Sequence, residues 1–543
     1  MKKKSYSKEI LGKYWKEIVL NIVILIIISL LAIIGPFVLK SVLSTNEISG
    51  FSAKNIGIYI IVITVLYAFK FLYNRFKFAF AEHFKNEETV SLYKRVFKMK
   101  YEAIKKLEPT YITERVSGTV DTVFGLYCSS VSGIFLSALV MLISLIIMIR
   151  INWILALLYF LQIPLQYIGF QRLLNGEKSK LVSLSTKLQT VRAKGNKNIK
   201  AIMSDIDSIK QHSAEDGILN FIRGASSDIF RMERVGNSYA MDVCTILEYI
   251  STLLKNGSYI FIIYLYVRGN VSVGDLVYLN LMNDLYFGSI GDVINIQINL
   301  RNLKGSLQFV NSEIDSNVEE DGDKEIIESV KTVEGHIRDL AYADDQIIVE
   351  DGSFKLTQGD VAAFTGDSGT GKSTIVKLLN KFMVGQDIKV NDISVSEIKN
   401  SSIRNKIYYL SQNSYLLPFT IKDNILLGNR NYDENRWNKL LSMPFMDKIL
   451  AKGLETEVLE NAENLSGGER QKVLLARIFM QNPDVIILDE SFNSLDEKTG
   501  EEILGTVCDM YSDKIIVLIS HAETYLKACN KRYAIHNKIL CLE

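Results

Sequence analysis

Residues 18–39, IVLNIVILIIISLLAIIGPFVL, make an uncharged apolar run of 22 residues. A helix of about 20 residues crosses the hydrocarbon layer of a bilayer. Within lipid a backbone must satisfy its own hydrogen bonds, which leaves the helix as the form of one isolated span. Lys2, Lys3 and Lys4 precede the run and set the N-terminus on the cytoplasmic side. The run exceeds a signal-peptide core and no small-residue cleavage site follows, so the span is expected to be retained. It starts by residue 18, which leaves no room ahead of it for a leader-trimming peptidase domain.

Further spans are predicted at 56–73, 131–149, 153–170, 246–267 and 276–298. Lys70, Arg75 and Lys77 mark the exit of the second as cytoplasmic, and only Arg150, Ile151 and Asn152 separate the third from the fourth. Six spans return the chain to the cytoplasm. Residues 78–126 and 171–242 are polar, rich in Lys and Glu and poor in Pro and Gly. That composition predicts long helices running out of the bilayer rather than loops.

Charge divides along the chain. Residues 1–320 hold 36 Lys and Arg against 26 Asp and Glu, and the remainder holds 26 against 35. The first half is thus +10 and the second −9, as basic membrane loops ahead of an acidic soluble domain would give. There is no concentrated basic face, which excludes a nucleic-acid partner. Cys128, Cys244, Cys508, Cys529 and Cys541 are odd in number and lack CxxC spacing, so they read as reduced thiols rather than a disulfide frame or zinc site.

Residues 311–332 are acidic and polar and read as a linker between a membrane domain, 1–310, and a soluble domain, 333–543. In the latter, short apolar runs alternate with helical stretches, the pattern of a parallel α/β sheet. VAAFTGDSGTGKSTIVKLLNKF reads as strand, glycine loop and helix. Gly366, Asp367, Ser368, Gly369, Thr370, Gly371, Lys372, Ser373 and Thr374 carry the phosphate-loop spacing G-x-x-x-x-G-K-[ST]. Glycines let backbone N–H groups wrap phosphate oxygens, and the helix N-terminus adds positive potential. Lys372 is placed for the β- and γ-phosphates of ATP and Ser373 for Mg²⁺.

DVIILDE, residues 484–490, reads as a buried strand ending in two carboxylates. Ligands gather at the carboxyl ends of parallel strands, so Asp489 is a candidate Mg²⁺ ligand and Glu490 a candidate polariser of the attacking water. LSGGERQ, residues 465–471, opens a helix about twenty residues earlier. Its Ser466, Gly467, Gly468 and Glu469 form a second candidate anion site.

These motifs, in this order, resemble the ATP-binding cassette transporters. LSGGERQ looks like that family's LSGGQ signature, with Glu469 in place of Gln. The resemblance implies adenine stacking for Tyr342, contact with Mg²⁺ and water for Gln412, and a D-loop at Ser494–Asp496. It implies γ-phosphate contact for His521, so Glu490, His521 and Gln412 are the expected catalytic set. GNVSVGDLVYL resembles the start of the sixth exporter helix. Leu459 and Ala462 depart from the usual stretch ahead of the signature, where glycines are common. The implied architecture is an all-α six-helix transmembrane domain of the type IV exporter kind, followed by an α/β P-loop nucleotide-binding domain.

One cassette with six spans is half a transporter. The resemblance implies pairing with a second half, identical or related, each ATP being held by Gly366–Thr374 of one chain and Ser466–Gly468 of the other, with Asp496 of the D-loop among the expected nucleotide-binding residues. Helix tips that touch the cassette are expected near Thr110–Ser117 and Asp205–His212. The implied reaction is ATP-driven export of an amphipathic cargo, a peptide, drug or lipid-like molecule, across a bacterial cytoplasmic membrane. Carboxylates within spans mark pathways. Glu248, Asp284 and Asp292 are candidates for an acidic cavity suited to cationic cargo, Asp284 and Asp292 lying within about 80° on one helix. An importer on the same architecture and a peptide sensor that does not pump are the alternatives.

Overall fold

The computed structural model describes residues 6–43, 53–174, 180–342, 346–429 and 431–543. The chain divides into two compact units: Met1–Met99 with Ala103–Val318, and Lys100–Glu102 with Glu319–Glu543.

The first unit is helical. Its elements are α1 (Tyr6–Lys13), α2 (Trp15–Leu43), α3 (Ala53–Val96), α4 (Tyr101–Leu107, whose first two residues group with the other unit) and α5 (Pro109–Phe124). Then follow α6 (Val131–Ile151), α7 (Trp153–Leu174), α8 (Lys180–Ser204), α9 (Ile206–Gln211), α10 (Glu215–Val267) and α11 (Val273–Gln308). In α2, Leu25 and Ile28 are buried while Val19, Leu20, Val23 and Ile27 are exposed. A helix apolar on every side suits lipid rather than water. Among the described residues, Trp15–Leu43, Ile56–Val96 and Cys244–Val267 are long and apolar enough to cross a membrane, with shorter apolar stretches at Phe135–Ile151 and Trp153–Leu165. The hairpin between α6 and α7 is one residue, Asn152, whose Oδ1 accepts the Ile154 N–H at 2.8 Å.

Helix α3, at 44 residues, is about 66 Å long, and α10, at 53, about 80 Å. Both outrun a hydrocarbon layer of about 30 Å. The stretch 78–126 is helical but not continuous. It turns at 97–100, and again at Glu108 (φ 65°) ahead of Pro109, since a residue before proline is pushed out of the helical region. Thr110–Ser117 falls within α5. The second tip region, Asp205–His212, coincides with the short α9 between two turns.

At one end of this unit Glu88, 3% exposed, accepts hydrogen bonds from the Tyr6 hydroxyl (3.2 Å), the Tyr14 hydroxyl (2.9 Å) and the Lys13 ammonium (2.9 Å). A buried carboxylate needs such donors, and these fasten α1 to α3. Elsewhere Asp284 is paired with Lys255 at 2.7 Å and bonded to the Tyr259 hydroxyl. Its charge is thus balanced within the chain, which removes it as a lone anion from the expected acidic cavity. Glu248 is exposed on α10, and the side chain of Asp292 lies outside the described residues, as does that of Cys128. Cys244, Cys508, Cys529 and Cys541 carry no disulfide.

The second unit contains β1 (Thr332–Tyr342), β2 (Gln346–Thr357), β3 (Val361–Gly366), α12 (Lys372–Leu379), β4 (Asp387–Val390), β5 (Ile393–Ser394), α13 (Asn400–Lys406) and β6 (Ile407–Leu410). A helical stretch follows, α14 (Ile421–Leu426), α15 (Glu434–Leu441), α16 (Asp447–Lys452) and α17 (Gly467–Met480). The chain closes with β7 (Val485–Asp489), α18 (Glu497–Met510), β8 (Ile515–Ile519), α19 (Glu523–Leu526), β9 (Lys531–His536) and β10 (Ile539–Leu542). The strands form one sheet in the order β5-β4-β1-β2-β10-β9-β3-β8-β7-β6. Strands β9, β3, β8, β7 and β6 run parallel. The wing of β1, β2, β4 and β5 is antiparallel, which the sequence pattern of alternating strand and helix does not anticipate. Central strands such as Val485–Asp489 and Ile515–Ile519 are buried throughout, as a sheet covered on both faces requires.

Residues 319–331 are packed into this unit. Ile326 and Val330 are buried, and Glu319 takes a two-pronged ion pair from Arg404 at 2.8 and 2.9 Å. The Val330 N–H reaches Asp484 Oδ2 at 3.2 Å, and Lys406 and Lys514 flank the same carboxylate at 3.0 and 2.9 Å. Burial opposes the charge on Asp484, but the lysine hydrogen bonds outweigh it and hold the carboxyl below its usual range. A depressed carboxylate contributes stability above its unfolded value, about pH 3.9, and loses it as pH falls through the lower folded value. Asp484→Asn should therefore cost about 3 kcal/mol at pH 7. The gap to wild type in the apparent unfolding midpoint of the full chain should narrow below pH 4. A gap that stays constant from pH 7 to pH 3 would remove the ionic account.

Candidate nucleotide site

The loop after β3 turns on glycines that adopt left-handed backbone: Gly366 (φ 133°), Gly369 (φ 83°) and Gly371 (φ 104°). At Gly371 the conformation demands glycine, and a Cβ would also crowd Ile348 Cδ1 at 3.0 Å. Lys372, buried at the start of α12, donates through Nζ to the carbonyls of Gly366 (2.8 Å) and Asp367 (2.7 Å). It ties the loop into a ring and keeps the ammonium at its centre. Burial lowers the Lys372 pKa, against the pull of Glu490, Asp489 and Asp367. The Thr370 hydroxyl donates to the Asp367 carbonyl at 2.9 Å.

Asp489 ends β7 and is 2% exposed. Its Oδ2 accepts the Tyr409 hydroxyl at 2.9 Å, and the Ser373 side chain stands nearby. Oδ1 is buried with no partner among the described residues. Burial pushes the Asp489 carboxyl up, and burial followed by the Asp489 charge pushes the Tyr409 phenol well above its usual range, so the phenol is the donor. A buried orphan carboxylate oxygen beside a serine hydroxyl is a hard, oxygen-only donor set that fits Mg²⁺.

Glu490 stands just past the strand in left-handed backbone (φ 51°), its N–H bonded to the Ile519 carbonyl at 2.9 Å. Its Oε2 accepts from Gln412 Nε2 at 2.6 Å and from Asn493 Nδ2 at 2.9 Å. His521 Nε2 lies 3.7 Å from Oε1. Residues from three strand ends thus converge on one carboxylate. A strained backbone at such a point marks a side chain held for use. With Nε2 engaged, Gln412 presents Oε1 as its acceptor. Asn493 and Tyr409 were not anticipated from the sequence. Asn493 lies three residues past Glu490 in the turn, and Tyr409 has the period-two register of a strand beside β7.

Ser466 caps α17. Its Oγ accepts the Glu469 N–H at 3.3 Å, and Glu469 Oε2 accepts the Ser466 N–H at 2.7 Å. This reciprocal capping box explains why glutamate serves here. Lys452 adds an ion pair at 3.0 Å. Burial opposes the Glu469 charge, yet the Ser466 N–H and Lys452 outweigh it and hold the carboxyl low. Gly467 and Gly468 pack on Ser494, where added Cβ atoms would meet its Cβ at 3.7 Å and its carbonyl at 3.4 Å. Asp496 caps α18 by accepting the Thr499 N–H at 3.0 Å. No hydrogen bond or ion pair among the described residues links Ser466–Gly468 to Gly366–Thr374. Tyr342 is the last residue of β1, and its side chain lies outside the described residues.

Residues 18–290 match the family model for the ABC transporter transmembrane region, and residues 349–493 match that for ABC transporters. The second match holds the phosphate loop, Gln412, the signature and Glu490. The microcin-J25 export ATP-binding/permease protein McjD of Escherichia coli is 34% identical over 206 residues, 37% of this chain and 36% of that protein. The probable multidrug resistance ABC transporter ATP-binding/permease protein YheI of Bacillus subtilis (strain 168) is 24% identical over 533 residues, 94% of this chain and 88% of that protein. The fold is similar to the structure of a bacterial Atm1-family ABC exporter with ATP bound. The TM-score is 0.78 at 19% identity, covering 98% of this chain and 95% of that one.

The capping box predicts that Ser466→Ala lowers stability by about 1 kcal/mol. Glu469→Gln, which keeps an acceptor for the Ser466 N–H, should lose about half of that or less. Thermal unfolding of the two variants side by side measures the order, and a larger loss from Glu469→Gln would overturn it.

Proposed function

The chain belongs to the ABC transporter family, and from that premise we propose that it is a half-transporter. It pairs with a second half, identical or related, and exports an amphipathic substrate across a bacterial cytoplasmic membrane at the expense of ATP. The observation that carries this reading is the convergence of Gln412, Asn493 and His521 on Glu490, next to a lysine-centred phosphate loop. That arrangement suits the splitting of a nucleotide and has no structural need of so many polar groups on one carboxylate. Relatives named for microcin export and for probable multidrug resistance support a peptide or drug-like cargo.

The groups divide the work as follows. Backbone N–H groups of Gly366–Thr374 cradle the phosphates, and the α12 N-terminus adds its dipole. Lys372 exchanges a loop carbonyl for phosphate oxygens, which its central position allows without moving the backbone. Mg²⁺, which Ser373, Gln412 and Asp489 would hold, would neutralise charge shared by the β- and γ-phosphates. Glu490 polarises the attacking water, Gln412 and Asn493 fix the direction of its carboxylate, and His521 stands at the γ-phosphate. Tyr342 stacks on adenine. Ser466–Gly468 and Asp496 complete the site of the other half, because neither chain by itself brings its signature to its own phosphate loop.

The six spans proposed from the sequence set both the N-terminus and the cassette in the cytoplasm. ATP-driven closure of two cassettes would then be a two-state switch biased by nucleotide.

Glu490→Gln should bind ATP with little change while turnover falls by about 10²- to 10⁴-fold. Reconstituted vesicles with the cassette outward should accumulate cargo on addition of ATP, and the variant should not. Turnover in the variant close to wild type would remove Glu490 from the assigned role. Accumulation in right-side-out vesicles instead would make the protein an importer.

A further inference from the structure

The phenol of Tyr409 is bonded to Asp489, and no step above uses it. Strands β6 and β7 are parallel, with Tyr409 opposite Ile487. Side chains alternate along a strand, so Ile487 and Asp489 share a face, and Tyr409 lies diagonal to Asp489 on that face. The diagonal spacing across a strand pair is about 7–8 Å, which a tyrosine spans and a valine or leucine does not. Tyr408, the neighbouring tyrosine, packs into the opposite core with Trp437 and Phe479 and has no such reach.

The Tyr409 ring is held in turn. Phe382 lies at 6.2 Å, centre to centre, and Tyr101 stacks on Phe382 at 4.9 Å with the planes 14° apart. The Arg404 guanidinium covers Phe382 at 5.1 Å while paired to Glu319. All of these residues belong to the second unit. The ladder leaves the phenol little freedom to swing from the carboxylate.

The consequence concerns the two oxygens of Asp489. Oδ2 is occupied by Tyr409, and Oδ1 is buried without a partner. A carboxylate whose rotation is unrestrained would divide its time between orientations. One with a single oxygen pinned presents the other in a fixed direction. We propose that Tyr409 is a positioning residue for the metal of the nucleotide site: its hydroxyl orients Asp489 so that Oδ1 faces the cation or a water bound to it. This rests on the assignment of Asp489 to the metal made above.

The test uses the full chain in detergent, with Glu490→Gln in every sample so that ATP is not consumed. Mn²⁺ replaces Mg²⁺ as a paramagnetic probe, titrated in the presence of ATP. Tyr409→Phe, which keeps the ring, should weaken retention of Mn²⁺ by about tenfold, the usual cost of losing an outer hydrogen bond to a metal ligand. Its unfolding midpoint without nucleotide should fall by only a few degrees, the cost of leaving one buried oxygen without its donor. Mn²⁺ affinity within twofold of the parent overturns the proposal, and so does a variant that fails to fold or melts well below the parent, since the phenol would then serve the core. Asp489→Asn runs alongside. If it leaves Mn²⁺ retention intact, the fault lies in the metal assignment. If it abolishes retention while Tyr409→Phe does not, the fault lies with Tyr409.

Discussion

The parallel pairing of four strands is the constraint on which the site depends. Strands β3, β8, β7 and β6 lie side by side and end at one edge of the sheet. The phosphate loop begins at Gly366, the last residue of β3, Asp489 and Glu490 stand at the end of β7, His521 follows β8 and Gln412 follows β6. Residues more than a hundred positions apart in sequence meet because the strand register brings them to the same edge. The Glu490 N–H bonded to the Ile519 carbonyl is the last rung of that register. It sets the left-handed turn that swings the Glu490 carboxylate out while Asp489 stays buried.

Two adjacent carboxylates consequently live in different surroundings. Asp489 is desolvated, bonded on one oxygen and open on the other. Glu490 accepts two amide donors and has His521 beside it. Neutral amide donors fix a carboxylate in direction without cancelling its charge, whereas an ion pair would do both. That distinction fits the proposed division between a group that holds a cation and a group that acts on water. Lys372 follows a similar logic. Its two bonds to loop carbonyls satisfy a buried ammonium, and a phosphate would replace these neutral acceptors with charged ones.

Much of this was legible from residue types and spacing. The glycines at 366 and 371 and the Lys372 that follows them identify the loop because backbone geometry leaves few substitutes there. The apolar run at 18–39 identifies a span because lipid permits few alternatives. Other features escaped because no local signal carries them. The antiparallel wing is set by pairing between distant strands, and its strands resemble any others. Tyr409 is one tyrosine among 26, and its role appears only when β6 is laid against β7. Glu469 looked like a departure from a signature, yet the capping box shows a helix-end requirement that glutamate meets. Asp284 read as a lone charge because its partner Lys255 sits on another helix. The turn at 97–100 has neither Gly nor Pro to announce it.

The signature segment bears on why the proposed unit of function is a pair. Ser466, Gly467 and Gly468 are committed to two tasks within their own chain, capping α17 and packing on Ser494. The Ser466 backbone N–H is already spent on Glu469. What remains for a ligand is the open end of the helix: the N–H groups of Gly467 and Gly468, which have no partner inside the helix, and the dipole behind them. A helix end of that kind attracts an anion brought to it from outside. An ATP seated in the loop of another copy would meet that need, and its γ-phosphate would then be gripped from both sides. Energy released on splitting that phosphate is useful for transport only if the grip is lost with it, which a site closed within one chain would not ensure.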